Sequence, residues 1–282
     1  MTVEEDIAKT MQHKMFMTAQ GLKKLCEKHS MSWSELMFAL LEEIKLKAVM
    51  PLADFYVGAI AVGKSGRYYF GASQDFVGTA TNQCIHAEQS AICNAFIHHE
   101  ASVKQVIVNK APCGYCRQFI REMANGLDIA IMFPEHEGCT LGELLPFSFG
   151  PADLNHEGGL LTPQSHNLSL CETNDDLIYQ KALSAANRSY SPYFHSYAGV
   201  ALELKDGKII DGSYLENVAQ NPGLGAMQAA LIHLNLSGYT YDAILRGVLV
   251  EYKSAPIKQA DAALSLLKAV NSKANFATCY AI

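Results

Sequence analysis

The sequence predicts an α/β fold in which one unit is used twice, behind an N-terminal helical segment. Three observations predict it. Apolar residues switch repeatedly between helical spacing and short β-branched runs in both halves of the chain. Landmark residues recur at a constant step of 141, pairing Gly58 with Gly199, Gly71 with Gly212 and Asp75 with Glu216. Between the halves, residues 134–176 are low in periodicity and rich in Gly, Pro, Asn and Ser, the composition of a long connection.

Residues 1–50 read as helical. Ser32-Trp33-Ser34-Glu35 is a capping-box pattern, where a serine hydroxyl and a glutamate three residues on each take a free backbone donor. Leu36, Leu40, Leu41 and Ile44 follow at helical spacing, and Pro51 is expected to end the run. Strands are expected over 57–62 and 68–72, joined by the turn-forming Gly63-Lys64-Ser65-Gly66. A helix over 85–98, a strand over 103–108, a helix from Cys113 to about Met123 and a strand over 128–133 complete the first unit. The second half repeats helix, two strands, helix, strand, helix, strand. The expected division is a helical segment 1–50, a first unit 51–150, a linker 151–176 and a second unit 177–282.

Composition excludes several functional classes. At 282 residues, 49% hydrophobic and 18% charged, the chain is globular and long enough for two buried cores. With 22 basic against 28 acidic residues the formal charge is −6, and no basic stripe marks a nucleic-acid partner. No apolar run approaches the ~18 residues of a membrane helix, so no membrane partner is expected. The first ten residues are acidic and lack the apolar stretch of a secretory signal. The eight cysteines show no disulfide-framework spacing, and thiolate ligands stay reduced only in a reducing compartment. The expected location is the cytoplasm.

The chemistry lies in His86-Ala87-Glu88 and, 27 residues after the histidine, Cys113-Gly114-Tyr115-Cys116. One imidazole and two thiolates give Zn²⁺ three protein ligands and leave its fourth position for water, as in catalytic sites. The carboxylate of Glu88 is then free to move protons. With Pro112 before the first cysteine, the pattern is the signature of zinc-dependent nucleobase deaminases. Read alone, Cys-x-x-Cys is a redox pair or two small buried residues, and His-Ala-Glu a plain helix start. Cys84 stands as the competing fourth ligand of a closed structural site. Stepping 141 residues on from His86, Glu88, Cys113 and Cys116 reaches Met227, Ala229, Ser254 and Ile257, so the second unit is expected to be non-catalytic.

Over nearly its whole length the chain resembles the homodimeric, bacterial type of cytidine deaminase. The resemblance is carried by Phe55-Tyr56-Val57-Gly58-Ala59-Ile60, by residues 84–92 around His86-Ala87-Glu88, and by residues 112–119 from Pro112 to Phe119. Leu145-Pro146, Phe149-Gly150-Pro151, Ala186-Asn187-Arg188-Ser189 and Gly199-Val200-Ala201-Leu202-Glu203 add to it. It implies a three-layer α/β/α fold and one zinc ion per chain on His86, Cys113 and Cys116. It also implies Glu88 as the proton carrier and a homodimer with active sites near the subunit interface. Phe55 is implied to pack on the pyrimidine ring and the backbone at Ala87 to contact its O2. The family's Asn-x-Glu ribose pair falls on Ser73 and Asp75, both polar but each shorter. The expected reaction is hydrolysis of free cytidine and deoxycytidine to uridine and deoxyuridine plus ammonia, as in pyrimidine salvage. Two readings compete with it: deamination of another small base or nucleoside, and a non-catalytic zinc-binding module.

Overall fold

A computed structural model of the chain describes residues 2–12, 14–134 and 136–282, and these divide into two compact units. The first comprises residues 1–75 and 84–149, the second residues 76–83 and 150–282. In chain order the first unit runs α1 (Val3–Met11), β1 (Phe16–Thr18), α2 (Ala19–His29), α3 (Trp33–Lys45), β2 (Gly58–Gly63), β3 (Arg67–Ala72) and α4 (Ala87–Ile97). It continues with β4 (Val103–Val108), α5 (Gly114–Arg121), β5 (Ala130–Phe133), β6 (His136–Thr140) and α6 (Leu141–Leu144). The second holds α7 (Leu177–Asn187), β7 (Ala198–Leu204), β8 (Ile209–Ser213), α8 (Ala226–Leu236), β9 (Ile244–Tyr252), α9 (Ala260–Val270) and β10 (Asn275–Ala281).

The capping box at Ser32 and Glu35 starts α3 as expected, with Ser32 N–H and Oγ–H both donating to Glu35 Oε2. The helix ends at Lys45, before Pro51, where the apolar spacing stops. Three elements were not expected. The N-terminal segment contains β1, a three-residue strand too short to show a period, which pairs antiparallel with β3. Part of the expected connection, 136–144, is structured: β6 pairs antiparallel with β5, and a Thr140–Glu143 capping box opens α6.

The first sheet has the order β1-β3-β2-β4-β5-β6 and the second β10-β9-β7-β8. The shared core is a four-strand block with one parallel pair, β4 with β5 and β9 with β10. Every residue of β2 is buried because helices cover both faces of the sheet. Ile60 and Val62 join the core formed by α1, α2 and α3, while Gly71 faces α4 on the other side. This is the three-layer α/β/α arrangement. Glycine marks the points of closest helix approach. A Cβ at Gly58 would lie 2.9 Å from Leu41 O, and one at Gly71 would lie 2.1 Å from Ala91 N. At Gly199 and Gly212 it would meet Ala186 N at 2.2 Å and Ala230 N at 2.1 Å. The glycine repeat seen in the sequence is thus a repeat of helix–sheet contacts.

The duplication is real, but its step is not constant. An isolated bridge joins Gln74 to Ile85 in the first unit and Leu215 to Leu224 in the second. The step is therefore 141 up to Gln74 and 139 from Ile85, because the intervening loop is two residues shorter in the second unit. It returns to 141 at β4 and β9, which share a bulge at Val62/Gly63 and Glu203/Leu204. This corrects the expected counterparts. His86, the N-cap of α4, corresponds to Gly225, the N-cap of α8, and Glu88 to Met227. Cys113, the N-cap of α5, corresponds to Gln259, the N-cap of α9, and Cys116 to Ala262. None of the four replacements can reproduce the His, Glu and thiolate set. Where the first unit has its His–Cys cluster, Gln259 Oε1 accepts from Ala226 N–H at 3.0 Å and Gln259 N–H donates to Glu251 Oε2 at 3.0 Å.

Candidate metal centre and substrate cavity

Two helix starts bring the candidate ligands together. His86 caps α4, with its N–H donating to Gln89 Oε1 at 3.1 Å, and its ring stacks on Tyr115 at 5.3 Å. Cys113 caps α5, so Cys116 lies one turn in and fully buried. Arg117 fixes the loop before this helix: its Nε donates to Pro112 O at 2.8 Å and its Nη1 to Leu144 O at 2.7 Å. Asn109 fixes the strand end before that loop, accepting from Gly58 N–H through Oδ1 at 3.1 Å. The sequence assigns no such role to Asn109 or Arg117. Spacing alone does not reveal contacts to backbone carbonyls distant in the chain.

The ligand atoms form a compact triangle. His86 Nδ1 lies 3.5 Å from Cys113 Sγ and 3.3 Å from Cys116 Sγ, and the two sulfurs are 3.6 Å apart. A tetrahedral zinc with ordinary Zn–N and Zn–S bonds needs edges of about 3.6 Å (N···S) and about 3.8 Å (S···S). The triangle fits zinc to within about 0.3 Å, close to the spread real sites show. Among the described residues no fourth His, Cys or carboxylate joins this cluster. Cys84 lines the cavity but stands outside it, so the geometry is that of an open site.

The electrostatics follow from burial and from the two thiols sharing hydrogen bonds. Cys116 and then His86 hold the Cys113 thiol at about 3, so it is a thiolate at neutral pH. The same contact with Cys113, reinforced by burial, pushes the Cys116 thiol up. The hydrogen bond to Cys113 also raises the His86 imidazole. Burial pushes the Glu88 carboxyl up, against the pull of the helix backbone and of Cys116. A buried carboxyl raised in this way is suited to taking and giving protons near neutral pH.

His86, Glu88 and Cys113 line a cavity of about 200 Å³. Glu88, Ala87, Ile85, Gln74 and Ser73 form its buried floor, whereas Phe55, Lys110, Ala111 and the ligand candidate Cys113 are exposed at its mouth. Of the sequence-predicted substrate contacts, Phe55, Ser73 and Ala87 line the cavity. Ser73 Oγ accepts from Val57 N–H at 3.1 Å. Asp75 is buried away from the lining: its carboxylate accepts from Leu52 N–H at 3.1 Å and Ala53 N–H at 3.0 Å, which fixes the segment ahead of Phe55. In the second unit Glu216 accepts from Tyr193 N–H in the same way, at 2.8 Å.

The profile described as the cytidine and deoxycytidylate deaminase zinc-binding region matches residues 31–129, which contain the whole cluster. A second profile of the same description matches residues 141–264. The chain belongs to the cytidine deaminase family. It is a hydrolytic, zinc-dependent deaminase with two deaminase domains, of which the second lacks the ligand set. Among solved structures, a point mutant of the cytidine deaminase from Mycobacterium tuberculosis is 27% identical. That match covers 41% of this chain and 97% of the other, with a TM-score of 0.37. A second mutant of the same enzyme is 25% identical over 43% of this chain and 99% of the other, with a TM-score of 0.37. The cytidine deaminase from Burkholderia pseudomallei is 23% identical over 35% of this chain and 77% of the other, with a TM-score of 0.32.

Proposed function

We propose that this deaminase converts free cytidine and deoxycytidine to uridine and deoxyuridine, releasing ammonia, and serves pyrimidine salvage in the cytoplasm. The observation that carries the reading is the His86–Cys113–Cys116 triangle at zinc-binding distances, with buried Glu88 on the floor of a cavity too small for a macromolecule. His86, Cys113 and Cys116 hold the metal. Bound there, zinc supplies an acidified water as the nucleophile. Glu88 would carry both protons of that water: the first to N3 of the base, and the second, taken from the hydroxyl added at C4, to the amine as the C4–N bond breaks and ammonia leaves. The backbone at Ala87 meets the pyrimidine O2, Phe55 covers the ring, and Ser73 lies on the sugar side. Asp75 acts indirectly, by holding residues 52–53. No helix among the described residues is long and apolar enough to cross a membrane. A homodimer, as in the enzymes the sequence resembles, is part of the proposal and is checked by sedimentation velocity.

The decisive experiment is an ultraviolet assay of zinc-loaded protein with cytidine, deoxycytidine and cytosine. Turnover of both nucleosides is expected; zinc-loaded protein silent on all three would overturn the reading. Glu88→Gln should keep one zinc per chain and lose turnover by at least ~10²-fold. His86→Ala, Cys113→Ala and Cys116→Ala should lose the metal itself.

A further inference from the structure

The sulfurs and the nitrogen of the ligand triangle are held by different means. Cys113 and Cys116 ride on one helix start, one turn apart, so α5 itself sets their 3.6 Å separation. His86 comes from the start of α4. Its Nδ1 lies 3.5 Å and 3.3 Å from the sulfurs, distances that depend on how the two helix starts are tied and how the imidazole is turned. A histidine that binds metal is ordinarily turned by a hydrogen bond from its other ring nitrogen to a carboxylate, a carbonyl or water. Among the described residues no protein group takes that place at His86 Nε2.

Tyr115 fills the role from α5. It lies between the two cysteines, half-buried, and its ring stacks on the imidazole with centroids 5.3 Å apart and planes 27° from parallel. The Gln89 side chain hydrogen-bonds its hydroxyl, offsetting part of the rise that burial imposes on the phenol. Gln89 is fully buried at the third position of α4, and its Oε1 accepts from His86 N–H at 3.1 Å. A carboxamide has an acceptor end and a donor end. With Oε1 on the His86 backbone, the amino end meets the phenol oxygen. The contacts close a circuit: His86 backbone to Gln89, Gln89 to the Tyr115 hydroxyl, and the Tyr115 ring back to the His86 imidazole. The circuit ties the helix that carries the nitrogen ligand to the helix that carries both sulfurs.

We infer that Tyr115 and Gln89 are positioning residues of the metal centre, holding the His86 imidazole at its angle to the two thiolates. This rests on His86, Cys113 and Cys116 as the proposed ligand set. Neither Tyr115 nor Gln89 lines the substrate cavity, so both act through His86.

The test reads metal binding apart from turnover. Zinc affinity is measured by competition with a chromophoric chelator. The visible spectrum of the cobalt(II)-loaded protein reports ligand geometry at full occupancy. Tyr115→Leu, which removes ring and hydroxyl, should lower zinc affinity about 10–100-fold and change the cobalt spectrum. Tyr115→Phe keeps the stack and should lose less. In a Gln89→Ala background Tyr115→Phe should cost nothing further, because the hydroxyl then has no carboxamide to meet. Thermal unfolding of the metal-free proteins separates positioning from packing: lost stability with wild-type zinc affinity and cobalt spectrum overturns the inference. Additive losses of zinc affinity in Gln89→Ala and Tyr115→Phe overturn it too. Should Tyr115→Leu not fold, that pair of substitutions decides alone. His86→Ala is the control, since wild-type affinity and spectrum in that variant would overturn the ligand set, and the inference with it.

Discussion

Gly71→Ala should disable the metal centre without touching a ligand. Gly71 sits in β3 where α4 crosses the sheet, and α4 begins at His86 and carries Glu88. A Cβ there would lie 2.1 Å from Ala91 N, 2.4 Å from Ala87 O and 2.7 Å from Ala91 Cα, all backbone atoms that cannot swing aside. Restoring ordinary contact from 3.4 Å upward requires the start of α4 to retreat by about 1.3 Å in a close-packed layer. Zinc sites tolerate only ~0.2 Å in their bond lengths, so His86 would leave the triangle. A displacement near 1 Å of a catalytic group such as Glu88 costs about 10² in rate. The overpacking itself costs roughly 1–3 kcal/mol of stability. Gly212→Ala is the matched control: its Cβ would meet Ala230 N at the same 2.1 Å, in a unit with no ligands. Zinc stoichiometry, turnover and thermal unfolding are measured for both. Loss of zinc and turnover is expected in the first variant, and loss of stability with zinc retained in the second. A Gly71→Ala protein with full zinc and wild-type turnover would refute the reasoning, as would equal zinc loss in both.

Asp75→Ala should free the Leu52 and Ala53 amides, cost about 1–3 kcal/mol and raise KM for nucleosides more than it lowers kcat. Unchanged melting and KM would show that the segment before Phe55 holds itself. In the second unit, Asp211 works against burial, but its hydrogen bond to His233 and its pairing with Arg188 hold its carboxyl at about 2. The unfolded value is near 3.9, so this group stabilises the fold fully above pH ~4 and loses that contribution as pH falls through about 2. Asp211→Asn should therefore cost about 2 kcal/mol at pH 7 and almost nothing near pH 2, read from urea unfolding across that range. A cost independent of pH would contradict the pairing.

Much of this protein was legible in its sequence. The fold class followed from alternating periodicities, because helices and strands bury one face at fixed spacing whatever lies around them. The proposed ligand set and Glu88 were legible as candidates because two helix starts must each carry their own donor residues, so the chemistry is written locally. The repeated glycines declared a duplication, since only glycine lets a strand and a helix backbone approach this closely.

Tertiary structure decided what depends on residues distant in the chain. The three-residue β1 and the five-residue β6 exist through pairing with β3 and β5, and neither is long enough to show its own period. The two-residue change of step between the repeats was hidden because a loop absorbs a deletion while the flanking contacts keep their register. Asp75 carries the expected charge, yet both its oxygens are spent on Leu52 and Ala53, which a motif cannot reveal. Lys110 follows Asn109, whose side chain binds Gly58 on the neighbouring strand, 51 residues away in the chain. Sequence supplied the candidate reacting groups; the fold determined which of them meet.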